Sequence, residues 1–142
     1  MERNEWSLDA SIEKTARYCV QAERAEVDVL AKLFQWGIPK EHHENIITYL
    51  RNNNFLNHER YCNAFVHDKV AYQSWGRIKI RAALLSKHIE DTIIDHALQN
   101  IDEAVYHKNL QHLYALKKGD NPQKIIRFLL QRGYTYEEIC EK

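Results

Sequence analysis

The sequence predicts an all-α protein, and three observations predict it. Glycine and proline are scarce, four and two, and nearly all of them stand at segment boundaries. Between those boundaries, apolar residues recur at spacings of three and four. Alternating strand-like runs and Asn-Gly or Asp-Gly hairpin turns are absent.

Taken in order, Leu8, Ile12, Ala16 and Cys19 mark one face of a first helix, and Val29, Leu30, Leu33 and Phe34 mark a second. Gly37-Ile38-Pro39 stops that helix and starts the third, which carries Ile46, Ile47 and Leu50. Tyr61, Phe65, Lys69 and Tyr72 give a fourth, and Ile80, Leu84 and Leu85 a fifth. Ala97 and Leu98 stand on the sixth, and Leu110, Leu113 and Tyr114 on the seventh, where Tyr106 and Tyr114 are expected to pack between modules. Gly119 ends that helix, Asn121 caps the eighth, and Pro122 takes its first position. Thr135 and Glu138 have the spacing of a capping box that opens the ninth.

Three near-copies divide the chain. LFQWGI (Leu33 to Ile38), LLSKHI (Leu84 to Ile89) and LLQRGY (Leu129 to Tyr134) align at offsets of 51 and 45 residues. Val29, Ile80 and Ile125 then correspond, as do Phe34, Leu85 and Leu130, while Ile46 and Ile47 match Ala97 and Leu98. The expected architecture is three tandem three-helix repeats, residues 1–53, 54–101 and 102–142, the last with a short final helix. Each is too small to bury its own apolar faces, so the repeats should stack into an elongated, curved array, right- or left-handed.

Net charge is zero, yet it is unevenly shared. Residues 1–50 hold six bases against nine acids, residues 51–89 seven against two, and residues 90–142 seven against nine. Such a basic middle suits a phosphate backbone or an acidic protein face, since charge is felt over about 10 Å at moderate salt. In the fifth helix, Lys79, Ala83, Ser86 and Lys87 gather on one outward flank, while Arg77 and Arg81 sit over the apolar stripe. Arg81 must reach the rim of a groove or staple two helices through a carboxylate, with Asp68 the nearest in sequence. Trp75 suits the seam between the fourth and fifth helices better than a stacking platform.

Other chemistry is weakly represented. There is no GxxxxGK[ST] loop, and Ser, His and Asp form no nucleophile arrangement. His58 and Cys62 have metal-ligand spacing without a third ligand, and adjacent His42 and His43 diverge by about 100° on a helix. Asp91 and Asp95 near His88 read as a solvated face. Three cysteines, Cys19, Cys62 and Cys140, read as reduced thiols, and the polar opening MERNEWSLDA is unlike a secretory leader. These features lead us to expect a soluble cytoplasmic binding protein, with no catalytic residue, cofactor, metal or membrane span.

The middle module, NHERYCNAFVHDKVAYQSWGRIKIRAALLSKHIEDTIIDHAL, resembles the repeat of the bacterial regulatory protein RecX. The likeness lies in Arg60-Tyr61, then Phe65 and Lys69, then Gly76, Lys79-Ile80, Leu84, Lys87 and Ile89. RFLLQRGYTYEEI is similar to the ending of the family's third repeat and LAKLFQWGIPKEHHENIITYL to its first, so the likeness covers essentially the whole chain. His88 departs from it, standing where the family usually has glycine, as Gly37 and Gly133 do here. The resemblance implies nine helices arranged as a crescent that lodges in the groove of the RecA filament. It implies inhibition of ATP hydrolysis and strand exchange by a monomer, and leaves direct contact with single- or double-stranded DNA open. Arg60, Lys69, Arg77, Lys79, Arg81 and Lys87 are the residues expected to meet the partner or DNA. The alternative is a helical DNA-binding repeat acting without RecA.

Overall fold

In a computed structural model, residues 6–141 are described. The first half of the polar opening, residues 1–5, and the expected end of the last helix at Lys142 lie outside them. The described residues form α1 (Leu8–Gln21), α2 (Glu26–Gln35), α3 (His43–Asn52), α4 (His58–Gln73), α5 (Arg77–Leu85), α6 (Asp91–Gln99), α7 (Glu103–Leu116), α8 (Pro122–Gln131) and α9 (Tyr136–Cys140), with one 3₁₀ turn at Lys40–His42. No strand occurs among them. The chain divides into two compact units, residues 1–61 and 62–142, with the division inside α4.

The first unit holds α1, α2 and α3 around Val29, Leu33, Ile46 and Leu50, all fully buried. Its deepest α1 face is one residue off the expected stripe. Ser11, Thr15 and Cys19 are buried, while Leu8, Ile12 and Ala16 are half-buried or packed at the edge. The polar side chains are tolerated there because each hydroxyl donates to the carbonyl four residues back: Ser11 to Ser7 at 2.8 Å and Thr15 to Ser11 at 2.6 Å. At the base of the unit, Arg51 in the last turn of α3 grips Glu26 in the first turn of α2 with two bonds, at 2.8 and 2.9 Å. Each charge faces the helix end that favours it.

In the second unit, α4 buries Cys62, Val66 and Val70, again one residue along from the expected Tyr61, Phe65, Lys69 and Tyr72 stripe. Tyr72 is 77% exposed. Ile80 and Leu84 are fully buried and Leu85 is 44% exposed. Its repeat counterparts Phe34 and Leu130 are exposed as well, at 80% and 44%. A helix on so thin a layer buries one narrow ridge, and a residue one position on points about 100° away from it. Tyr106 is buried, whereas Tyr114, expected to pack similarly, is 41% exposed.

Helix ends follow the sequence closely. Asn121 accepts from the Gln123 N–H at 2.7 Å ahead of Pro122, and Thr135 and Glu138 form the reciprocal capping box. Gly37, His88 and Gly133, the three equivalent stops, all take left-handed backbone, with φ of 78°, 62° and 103°. His88 thus keeps the turn despite its side chain.

Candidate partner-binding site

The candidate basic residues sort by what already neutralises them. Arg60 donates to Glu23 at 2.9 Å. Arg77 pairs with Glu103, lies 3.9 Å from Glu138, and stacks over the Tyr106 ring at 4.3 Å. Arg81 pairs with Asp95 of α6, which corrects the expectation of Asp68. The reason is topological: α6 returns along α5, whereas Asp68 is exposed and 3.8 Å from His67 on its own helix. Arg77 and Arg81 line one wall of a groove of about 600 Å³, with Ile78, Asp95, Leu98 and Glu103 around it. Its charge is mixed, because each arginine there brings its carboxylate.

The lysines differ. Lys69 Nζ lies 4.7 Å from the Trp75 ring centroid and Lys79 Nζ lies 4.5 Å from it. Lys69 is also 5.2 Å from Phe65, which meets Trp75 edge to face at 6.3 Å. Among the described residues neither lysine has a carboxylate within ion-pair distance. Both are half-buried, so Lys79 lies against the Trp75 ring instead of extending fully outward from its flank. Lys87, on the same flank, is half-buried too.

The local chain explains why the three groups meet. Ser74 takes φ of 56°, turning the chain at the end of α4, and the Trp75 N–H then donates to the Lys69 carbonyl at 3.0 Å. This folds the indole back over the last turns of α4. Lys79 arrives from the first turn of α5, where three leading N–H groups are already occupied. Gly76 donates to the Arg132 carbonyl at 2.7 Å, Arg77 to the Tyr106 hydroxyl at 2.9 Å, and Ile78 to the Gly133 carbonyl at 3.0 Å. The Tyr134 hydroxyl donates to Ser74 O at 2.8 Å, which fixes the turn from the other side. The end of α8 therefore clamps the start of α5.

A seam of this kind also occurs in the first repeat with its partners exchanged. Arg24, at the place of Trp75, lies 3.7 Å over the ring of Tyr18, at the place of Lys69. Asp28 stands where Lys79 does. Lys32 Nζ also lies 5.6 Å over the Tyr18 ring, so each seam sets two cations against one aromatic ring. Sequence reading identified Lys69, Trp75 and Lys79 separately, and no spacing rule joins residues from two helices and a turn.

Among the described residues no cluster of three or more His, Cys, Asp or Glu side chains could hold a metal. Cys62 is buried, its thiol pushed up to about 11 by desolvation, while His58 Nε2 accepts the Glu26 N–H at 3.4 Å. No helix among the described residues is long and apolar enough to cross a membrane.

Known proteins resemble this chain throughout. The family model for RecX, second three-helix domain, matches residues 57–98, which contain Lys69, Trp75 and Lys79. Regulatory protein RecX of Haemophilus ducreyi is 30% identical over 122 residues, covering 81% of this chain and 78% of that protein. Its namesake in Clostridium botulinum strain Alaska E43 is 34% identical over 127 residues. In Clostridium perfringens strain 13 the figure is 30% over 124 residues. The match to each clostridial protein spans 58% of its length. A crystal structure of regulatory protein RecX shares the fold with a TM-score of 0.83 at 23% identity, covering 95% of this chain and 73% of that one. RecX from Lactobacillus salivarius gives 0.78 at 21% identity, covering 94% and 92%.

Proposed function

The chain belongs to the RecX family of regulatory proteins, and from that premise we propose that it binds the RecA recombinase filament and modulates it, mainly by inhibition. ATP hydrolysis, strand exchange and coprotease activity are the functions affected, which places the protein in recombination, DNA repair and control of the SOS response. The observation that carries this reading is the overlap of the family match, residues 57–98, with residues 51–89, where seven bases stand against two acids. The protein acts by binding alone, in the cytoplasm and as a monomer, and its own residues supply no chemistry. The three modules, residues 1–53, 54–101 and 102–142, would present repeated contacts to a repeating partner and gain avidity without a deep pocket. Occupancy then biases the filament toward an inactive arrangement or stops its growth.

Titration into RecA hydrolysing ATP on single-stranded DNA tests the reading. Hydrolysis is expected to slow when this protein is well below equimolar with RecA. Undiminished hydrolysis at equimolar protein would overturn it. A second reading, a DNA-binding repeat acting without RecA, is favoured by the two lysines that have no carboxylate partner among the described residues. It predicts DNA binding that weakens steeply with salt and no effect on RecA once DNA is in excess.

A further inference from the structure

We infer that the outward face of α1 and the turn after α3 form a docking groove for a basic amphipathic helix of a protein partner. Ser11 and Thr15 of α1 are fully buried. The apolar stripe lies one residue on, with Ile12 and Ala16 half-buried and Val20 72% exposed. A helix whose outer side meets only water turns its apolar stripe to the core, and α1 has the two exchanged. Facing this stripe, Asn54 takes φ of 65° and the Phe55 N–H donates to the Leu50 carbonyl at 2.8 Å, which returns Phe55 to the end of α3. There it stacks on the exposed Tyr49, with ring centroids 6.5 Å apart and planes 18° from parallel. The two walls bound a groove of about 810 Å³ within the first unit.

Shape and charge select the occupant. Ile12, Ala16 and Val20 are spaced by four, so the apolar floor runs straight for about 12 Å. A helix laid along it meets the floor with residues three and four apart, the way a groove reads an amphipathic partner. The outer rim is Asp9, Glu13 and Arg17, two acids against one base. Asp9 has no basic partner among the described residues, and Glu13 pairs only with Arg17, at 3.0 Å. That pair is exposed on both sides, so a partner's cation can take the place of Arg17 at little cost. The first fifty residues hold nine acids against six bases, which gives the wider field the same sign. An acidic helix would be repelled along this rim, and a strand would find no sheet edge among the described residues. The inference goes beyond the reading above, which rests on the basic residues 51–89, and its test contains no RecA, so the two can fail separately.

The test is fluorescence anisotropy of a labelled leucine–lysine peptide, about four helical turns long with leucines three and four apart, titrated with the full chain. A peptide with the same leucine face and glutamate in place of lysine is the matched control. The lysine peptide should bind at least about tenfold more tightly than the glutamate peptide. V20S/Y49S removes apolar contact without changing charge and should lower affinity for the lysine peptide about tenfold. V20S alone should lower it about threefold, which protects the test if the double variant folds poorly. D9N/E13Q should lower it about fivefold and weaken its dependence on salt. E41Q/E44Q removes the same charge from exposed sites elsewhere in the unit and should leave affinity nearly unchanged. The proposal is overturned by affinity unaltered in both V20S and D9N/E13Q, by an equal loss in E41Q/E44Q, or by equal binding of the glutamate peptide. Absence of lysine-peptide binding at about 100 μM chain also overturns it.

Discussion

Gly76 and Gly133 meet backbone to backbone. A Cβ on Gly76 would stand 2.3 Å from both the carbonyl carbon and the carbonyl oxygen of Gly133. Gly76→Ala must therefore separate α5 from the end of α8, breaking the 2.7 Å bond from Gly76 to Arg132 O and the 3.0 Å bond from Ile78 to Gly133 O. Gly37 offers the contrast: its φ is 78°, but no atom lies within 4 Å of an added Cβ. We expect Gly37→Ala to cost about 1 kcal/mol, for backbone conformation alone. Gly76→Ala should cost about 3 kcal/mol, for overpacking and lost bonds together. Urea denaturation of the two variants beside the parent checks the order, and equal losses would contradict the close approach.

His88 predicts the opposite sign. It stops α5 in left-handed backbone with φ of 62°, where Gly37 and Gly133 do the same work without a Cβ. Its side chain is exposed, so little packing is lost on removal. His88→Gly should raise stability by several tenths to about 1 kcal/mol, read as a higher melting temperature. A lower melting temperature would mean that the imidazole holds the turn through contacts of its own.

These stops also explain what was legible in the sequence. Gly37, His88, Gly133, Asn121, Pro122, Thr135 and Glu138 act through local backbone rules, and all of them lie where the pattern put them. The helices were legible for the same reason. Facing was legible only to within one residue: an apolar stripe is about 100° wide, and Ser11 and Thr15 hide their hydroxyls on their own helix, so polarity misleads there. Partnership was not legible. Arg81 found Asp95 instead of Asp68, and Lys69 met Lys79 across Trp75, because tertiary return sets distances that separation in sequence does not.

Alkaline stability should show a two-step loss. Desolvation raises the Cys62 thiol from the usual 9.0 to about 11 and the Tyr106 hydroxyl from 10.0 to about 12; burial pushes Tyr134 upward as well. Each group is held neutral in the folded state and ionises more readily when unfolded. Its contribution is therefore fully present below the unfolded value and lost as pH rises toward the folded one. Unfolding free energy should not fall on their account below pH 9, then decline through Cys62, and decline more steeply above pH 10 as the tyrosines join. Urea midpoints measured from pH 8 to pH 11 follow the curve. Burial raises the Cys19 thiol as well, so the onset should move from about 9 to about 10 only when Cys19→Ala and Cys62→Ala are combined; an unmoved onset in that double variant would assign the first step elsewhere.

Acid should weaken the first unit through a single pair. The Arg51 bond holds the Glu26 carboxyl below its usual 4.5, so the stabilisation is present above that value and lost as pH falls through the depressed one. Glu26→Gln should flatten the stability profile below pH 4.5, and an unchanged profile would mean that the pair contributes nothing.

The outward flank of α5 that carries Lys79 and Lys87, expected from the sequence to meet the partner, makes its own prediction about RecA. Arg77 and Lys79 are two residues apart, yet their charges serve different ends: Arg77 is tied to Glu103, Glu138 and Tyr106, and Lys79 meets only an aromatic ring among the contacts described above. Reversing charge at Lys79 and Lys87 together should weaken inhibition of RecA's ATPase by about tenfold, the effect of roughly 1.4 kcal/mol, while helix content holds. Arg77→Gln should behave differently, lowering the melting temperature first and losing inhibition only where the chain unfolds. The discriminating readout is circular dichroism beside the ATPase titration. Full inhibition by Lys79→Glu with Lys87→Glu would move the contact off this flank. Lost inhibition by a well-folded Arg77→Gln would put the paired arginine in it, since breaking an internal staple alone cannot abolish binding while the fold survives.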